Sequence, residues 1–380
     1  MRCAALALLI LAVLAPARPA SAEPPARAIA FQFVLDRQIV FPITINGRPA
    51  EAWLDSGAGA TVVDAAFAKT LGLALGAPIA AHGVAGKVAD VRLAQADLKV
   101  GDLAMPGRRV AVMDLSAVAR VTGRPVQVLL GRDVFDQAVV DLDFEGRRVE
   151  LLPRSALVPP KEEPVPLLRS GDLRSIPIVV GGVATPAILD LGNAGGLLLD
   201  QGFVEANRLF AGRRLSTDLG VGADGAREHT IAALDKVSVA GVSFDGVTAV
   251  ATPGLSSRAP ANVGLQILSR FHLIIDFAGD RIWMTPYRDA TARLFRKNRV
   301  GLMLVREPGG LLVDYVARGS PADRAGWKKG EVVTALDDAP IPADYAATEA
   351  SLWVYGPPGR TVTLTTADGG KRKLTLADYY

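Results

Sequence analysis

Apolar positions along the chain fall into short runs of strand length. Val139 to Phe144 and Arg147 to Leu152 flank Glu145-Gly146, a pattern that predicts a β-hairpin. Ile274 to Phe277 and Arg281 to Met284 flank Ala278-Gly279 in the same way. Two further runs, Ala52-Trp53-Leu54 and Ala187-Ile188-Leu189, each end in Asp followed two residues later by Gly. That pattern predicts a strand closing on a tight loop that carries an acid. Pro159, Pro160, Pro164 and Pro166 break any helix or central strand between Pro153 and Pro166, so residues 154–166 read as a linker. Beyond Pro286 the pattern changes. Arg288, Arg293, Arg296, Lys297 and Arg299 make a basic stretch that predicts a solvated connecting helix. Leu311 to Val316 reads as a strand, Gly319-Ser320-Pro321-Ala322 opens a short helix ending near Gly326, and Trp327 to Val333 leads into another strand.

The N-terminus follows a different rule. Arg2 precedes an apolar run from Cys3 to Ala15, and Ala20-Ser21-Ala22 supplies a small-residue end. This is the order of a secretory leader over residues 1–22, and the run is too short to span a bilayer comfortably. Export to a periplasm or to the outside is expected, with no stable membrane span after cleavage. Cys3 is the only cysteine, so the mature chain is expected to hold no disulfide, no thiol nucleophile and no cysteine metal site.

Composition narrows the classes. The chain has 380 residues, half of them hydrophobic and 21% charged, enough for two or three domains with their own cores. Its formal charge is +3, and Arg2 and Arg18 leave with the leader, so the mature surplus is +1. So small a surplus gives no reason to expect a nucleic-acid partner, which needs a clustered basic face.

An internal repeat organises the rest. Ile43, Gly47, Ala52, Leu54, Asp55 and Gly57 recur, without a gap, as Ile178, Gly182, Ala187, Leu189, Asp190 and Gly192, at an offset of 135. Asp143-Phe144-Glu145-Gly146-Arg147 is echoed by Asp276-Phe277-Ala278-Gly279-Asp280 at an offset of 133. The chain is duplicated, as units 29–153 and 167–287.

Duplication pairs two acids. Loops carrying Asp55 and Asp190 across a pseudo-twofold axis would bring two carboxylates together, and like charges at that range share one proton. One carboxylate can then act as base on a water while the other polarises a carbonyl; aspartic proteases are the standard case. Other routes lack their residues. There is no Gly-x-Ser-x-Gly, His82, His229 and His272 are scattered, and no His-Glu-x-x-His occurs. Gly220 to Gly225 fits a dinucleotide-loop spacing, but no long helix pattern follows it.

Asp55-Ser56-Gly57-Ala58, with Leu129-Leu130-Gly131-Arg132-Asp133, resembles the two signatures of retropepsin-like aspartic proteases. The resemblance covers roughly Ile29 to Tyr287. It implies a mainly β, bilobal retropepsin- or pepsin-like barrel, with Asp55 and Asp190 as the catalytic dyad. It also implies that the Ser56 hydroxyl braces the loops, that Ser56, Gly57 and Gly192 border the substrate, and that a hairpin flap over residues 81–86 brings His82 and Gly83 to it. A second flap would be Gly220 to Gly225. Three positions depart from the pattern: Leu191 stands where Thr or Ser is usual, Asn193 replaces Ala or Ser, and Val263-Gly264-Leu265-Gln266 lacks the Arg-Asp pair.

Residues 292–380 carry a second resemblance. Gly319-Ser320-Pro321-Ala322 through Gly330-Glu331 is similar to an element of bacterial-type PDZ domains, which implies a small α/β unit. Val300-Gly301-Leu302 would then be the loop whose N–H groups hold a peptide's terminal carboxylate. Arg299 takes a position that is usually Gly. The reading is an exported aspartic endopeptidase acting on polypeptides, with peptide C-termini as further partners and no metal or organic cofactor implied. Its alternative is a catalytically weak or inactive peptide-binding scaffold of the cell envelope.

Overall fold

The computed structural model describes residues 27–83, 86–255 and 259–380. Residues 1–22, expected as a leader and including Cys3, and two residues of the expected flap, Val84 and Ala85, lie outside the described residues.

The repeat is visible first in the turns. Strands Gln38–Ile45 and Arg48–Leu54 pair around Asn46-Gly47, and Leu173–Val180 and Val183–Leu189 pair around Gly181-Gly182. Both central residues of each turn have positive φ (49° and 73°, then 57° and 88°). That geometry matches the twist of antiparallel strands and favours Asn and Gly there. The second strand of each hairpin then gains a parallel neighbour. Val128–Leu130 runs beside Ala52 to Leu54, and Ala261–Val263 runs beside Ala187 to Leu189. Antiparallel partners Val62–Asp64 and Leu197–Asp200 close each set. Leu54, Leu130, Leu189 and Val263 are all at most 1% exposed, each stabilising by about 1.5–3 kcal/mol through burial.

A six-stranded sheet joins the lobes. Its central pair is Val139–Asp143 against Phe271–Asp276, in which Asp141 lies opposite Ile274. Ile274 is the counterpart of Asp141 at the 133-residue offset, so the pseudo-twofold axis passes through this pair. Phe135 stacks on Phe277 at 4.9 Å beside it. Within the linker, Val165–Pro166 forms the outer strand against Arg281–Pro286, an edge being where Pro is tolerated. The architecture is mainly β and pepsin-like.

The remaining residues form a separate sheet of strands Leu302–Glu307, Gly310–Val316, Val332–Leu336, Thr361–Thr366 and Lys371–Thr375, with Ala339–Pro340 at one side. Helix Pro321–Arg324 is capped by Ser320, whose hydroxyl accepts from Asp323 N–H at 3.1 Å. This unit bridges both lobes. Arg120 of the first donates to Glu307 at 3.0 Å, and Ser216 of the second donates to the Arg318 carbonyl at 2.6 Å.

The basic stretch before it corrects the helix expectation. Residues 288–299 run as turns and irregular chain, because their side chains are tied to distant groups. Arg296 reaches the Leu35 carbonyl and the Asp36 carboxylate, and Arg299 donates to Asp378 at 2.6 Å. Arg270, 3% exposed and stacked on Phe295, donates to the carbonyls of Ala290 and Arg293. The backbone carbonyls that a helix would use are held by a side chain instead. Among the described residues no helix is long and apolar enough to cross a membrane.

Candidate active site

Each acid sits where its strand leaves the sheet. Asp55 N–H donates to the Leu130 carbonyl at 2.9 Å and Asp190 N–H to that of Val263 at 3.1 Å. Each Oδ1 then accepts the N–H two residues on, Gly57 to Asp55 at 2.9 Å and Gly192 to Asp190 at 2.9 Å. The two loops are related copies, and they meet. The Asp55 and Asp190 carboxyls lie close enough for each to perturb the other electrostatically.

The glycines make this approach possible. A Cβ on Gly57 would lie 2.5 Å from Asp190 Cγ, and one on Gly192 would lie 2.6 Å from Asp55 Oδ2. Each loop therefore gives up a side chain so that the opposing carboxylate can sit against its backbone.

The brace between loops is one-sided. Ser56, fully buried, donates its hydroxyl to the Leu189 carbonyl at 2.6 Å and accepts from Leu191 N–H at 3.0 Å. Leu191, 1% exposed, has no hydroxyl with which to reciprocate. Fully buried and absent from the cleft lining, Ser56 is a brace, and the expectation that it borders the substrate is corrected.

The departures at the second loop have a structural partner that the sequence pattern did not reveal. Asn262 donates its amide to Asp190 Oδ2 at 2.6 Å, while its carbonyl accepts from Asn193 Nδ2 at 2.8 Å. Asn193 Oδ1 in turn accepts from Gly195 N–H at 2.8 Å. Leu129 takes the matching place in the first lobe, pairing with Trp53 as Asn262 pairs with Ile188. The signal available in the sequence was a lone amide inside the apolar run Ala261-Asn262-Val263.

Charge is therefore shared unequally. Asp190 accepts from Gly192, Asn193 and Asn262, whereas among the described residues Asp55 has only backbone N–H donors of its own loop. Burial first, and then the like charge of Asp190, push the Asp55 carboxyl up to about 8. Burial raises Asp190 as well, while its three donors and the neighbouring Asp55 pull it back. The donors gathered at Asp190 favour the negative charge there and the shared proton on Asp55.

Above the acids lies a cleft of about 980 Å³. Strands Ala81–His82 and Lys87–Val88 pair in one hairpin, closed by Gly83 N–H on the Gly86 carbonyl at 2.8 Å. Strands Ser216–Gly222 and Gly225–Leu234 form the second. The tips touch: a Cβ on Gly83 would be 2.7 Å from Asp224 Cγ, and one on Gly86 would be 3.3 Å from Arg227 Nη2. His82 is exposed and Gly83 half-buried, both on the cleft wall with Gly57 and Gly192.

The third unit supplies the far wall through Gly301 and Leu302. Val300 is fully buried in the core of that unit and takes no part in the cleft. The expected carboxylate loop is also occupied from within. Asn298 Oδ1 accepts from Val300 N–H at 3.1 Å and from Gly301 N–H at 2.9 Å. A carboxylate would have to displace that side chain, which corrects the reading of Val300 and Gly301 as free donors. Among the described residues no group of three or more His, Cys, Asp or Glu is placed to hold a metal ion.

Residues 41–134 match the model of a family described as aspartyl protease. The matched span contains Asp55, the first flap and Leu130-Gly131-Arg132-Asp133, and the match supports a protease-type function and polypeptide substrates. No match was found among curated proteins.

Proposed function

We propose that the protein is an aspartic endopeptidase in which Asp55 and Asp190 activate one water. The observation that carries this reading is the pair of carboxyls that the two related loops bring face to face, each seated against the opposing loop's glycine. Asp190, ionised, takes a proton from water as the water oxygen attacks the peptide carbonyl carbon. Asp55 gives its proton to the carbonyl oxygen, and a gem-diol forms. Collapse returns the Asp190 proton to the amide nitrogen as the C–N bond breaks, and a diol proton goes back to Asp55. An amine and a carboxylic acid leave, and the dyad is restored. The paired flap tips would exclude bulk water from this step.

Peptide capture by the third unit, residues 292–380 read as a PDZ domain, belongs to the same proposal. Strand Leu302–Glu307 is at the edge of its sheet, the place where an extended peptide would add as a further strand. The leader over residues 1–22 makes export, to a periplasm or beyond, part of the reading.

The test is hydrolysis of an unstructured protein substrate by the chain lacking residues 1–22, read by mass spectrometry from pH ~3 to ~8. Cleavage that is lost in Asp55→Asn, and blocked by a peptide carrying a hydroxyl in place of the scissile carbonyl, supports it. Intact substrate throughout, with that peptide still bound, overturns the endopeptidase and favours the peptide-binding scaffold to which the one-sided brace at Leu191 points.

A further inference from the structure

One acid in the cleft serves neither the dyad nor the fold. Asp218 lies in Ser216–Gly222, directly opposite His229 on the neighbouring strand, and lines the same cleft as Asp55 and Asp190. Asp218 is half-buried, and burial raises its pKa with no basic group opposing that rise. Two more deeply buried acids have side-chain partners. Asp276, 1% exposed, has Arg154 and Arg281 at 3.2 and 3.1 Å, and Asp190 has the Asn262 amide.

Cations on elements packed against this strand are paired elsewhere: Arg318 with Glu228 at 3.0 Å, and Arg120 with Glu307 and Asp314 at 3.0 and 3.4 Å. His229 is 9% exposed, and burial and then Arg227 lower its pKa, so it is neutral. Its Nδ1 is buried with no hydrogen-bond partner among the described residues. Tyr379 and Tyr380 pack with Ile231, and Tyr315 packs against that cluster. All three tyrosine hydroxyls are raised by burial and, further, by the negative field of Asp218. A half-buried carboxylate without a cation loses part of its hydration, and a cation supplied from outside recovers part of that loss.

We propose that Asp218 is the base of a specificity subsite that receives a lysine or arginine side chain of the polypeptide. The aliphatic stem lies against the tyrosine rings, which also attract the cationic head, and the head pairs with the Asp218 carboxylate. The subsite deepens the endopeptidase reading and rests on it for its substrate class.

Matched peptides that differ only in lysine or its uncharged isostere norleucine, substituted at each position in turn, provide the test. At the position that enters the subsite, the lysine peptide is expected to have a kcat/KM higher by about tenfold or more, the range of one charge-assisted hydrogen bond. The ratio falls to near one in Asp218→Asn, and falls in the native chain as acid protonates Asp218. An unchanged ratio in Asp218→Asn, or no lysine preference at any position, overturns the subsite. Fluorescence anisotropy of the same peptides on Asp55→Asn protein reads the preference without hydrolysis. A native chain that fails to cleave but binds lysine peptides in an Asp218-dependent way therefore removes the endopeptidase and keeps the subsite. Should Asp218→Asn not fold, the acid-dependent loss of preference in the native chain decides alone.

Discussion

Replacing Asn262 with leucine, the residue that Leu129 supplies at the matching place in the first lobe, removes the amide that donates to Asp190 Oδ2. A hydrogen bond to a charged group contributes about 1.5–3 kcal/mol, and one pH unit corresponds to about 1.4 kcal/mol. Taking on the second proton, at Asp190, should therefore become easier by about 1–2 pH units. Losing the last proton, from Asp55, involves an ionised Asp190 on both sides and should move little. The kcat/KM profile reports these free-enzyme steps: in Asn262→Leu its acid limb rises by that amount while its alkaline limb stays, and carbon NMR of the two carboxyls follows the same protons without turnover. Asn193 loses its partner as well, so a drop in Tm is expected, and it measures packing independently of the titration. An acid limb that does not move, or an alkaline limb that moves alone, would refute the placement of the charge on Asp190.

Three further outcomes follow from the same geometry. Ser56→Ala strands Leu191 N–H and the Leu189 carbonyl inside the lobe interface; at about 1–3 kcal/mol for each buried unsatisfied group, calorimetry should show Tm falling by several degrees. Gly57→Ala places a methyl 2.5 Å from Asp190 Cγ, and a displaced carboxylate should lower kcat by about 10²-fold or more in a peptide cleavage assay. The folded chain holds the Asp55 proton from the ordinary carboxylate value of 3.8 up to about 8, whereas the unfolded chain releases it early. Stability should fall as pH rises through that window, and Asp55→Asn should flatten the slope when melting temperatures are compared at its two ends.

The duplication, the two acid-bearing loops and the two hairpins at the cleft were legible because each is local. A strand ending in Asp-x-Gly announces itself within a few residues, and a gapless repeat announces its partner. The N-cap at Ser320 and the positive-φ turns at Asn46-Gly47 and Gly181-Gly182 are local in the same sense. The connecting helix over 288–299 failed for the opposite reason. Its arginines find carbonyls and carboxylates as remote as Leu35 and Asp36, and these long-range bonds outweigh helical propensity.

By itself the amino-acid sequence determined that two equivalent acids exist and that each ends a buried strand with a glycine close behind. Only the tertiary structure decided how they differ. Asn262 reaches Asp190 across 72 positions of chain, Asn298 occupies the amides of Val300 and Gly301, and Asp218 sits in the cleft with tyrosines and a neutral histidine for company. A carboxyl's proton affinity depends on the donors, charges and water within a few ångströms of it. Those neighbours are gathered from distant parts of the chain by sheet pairing and burial, so no local pattern can report them.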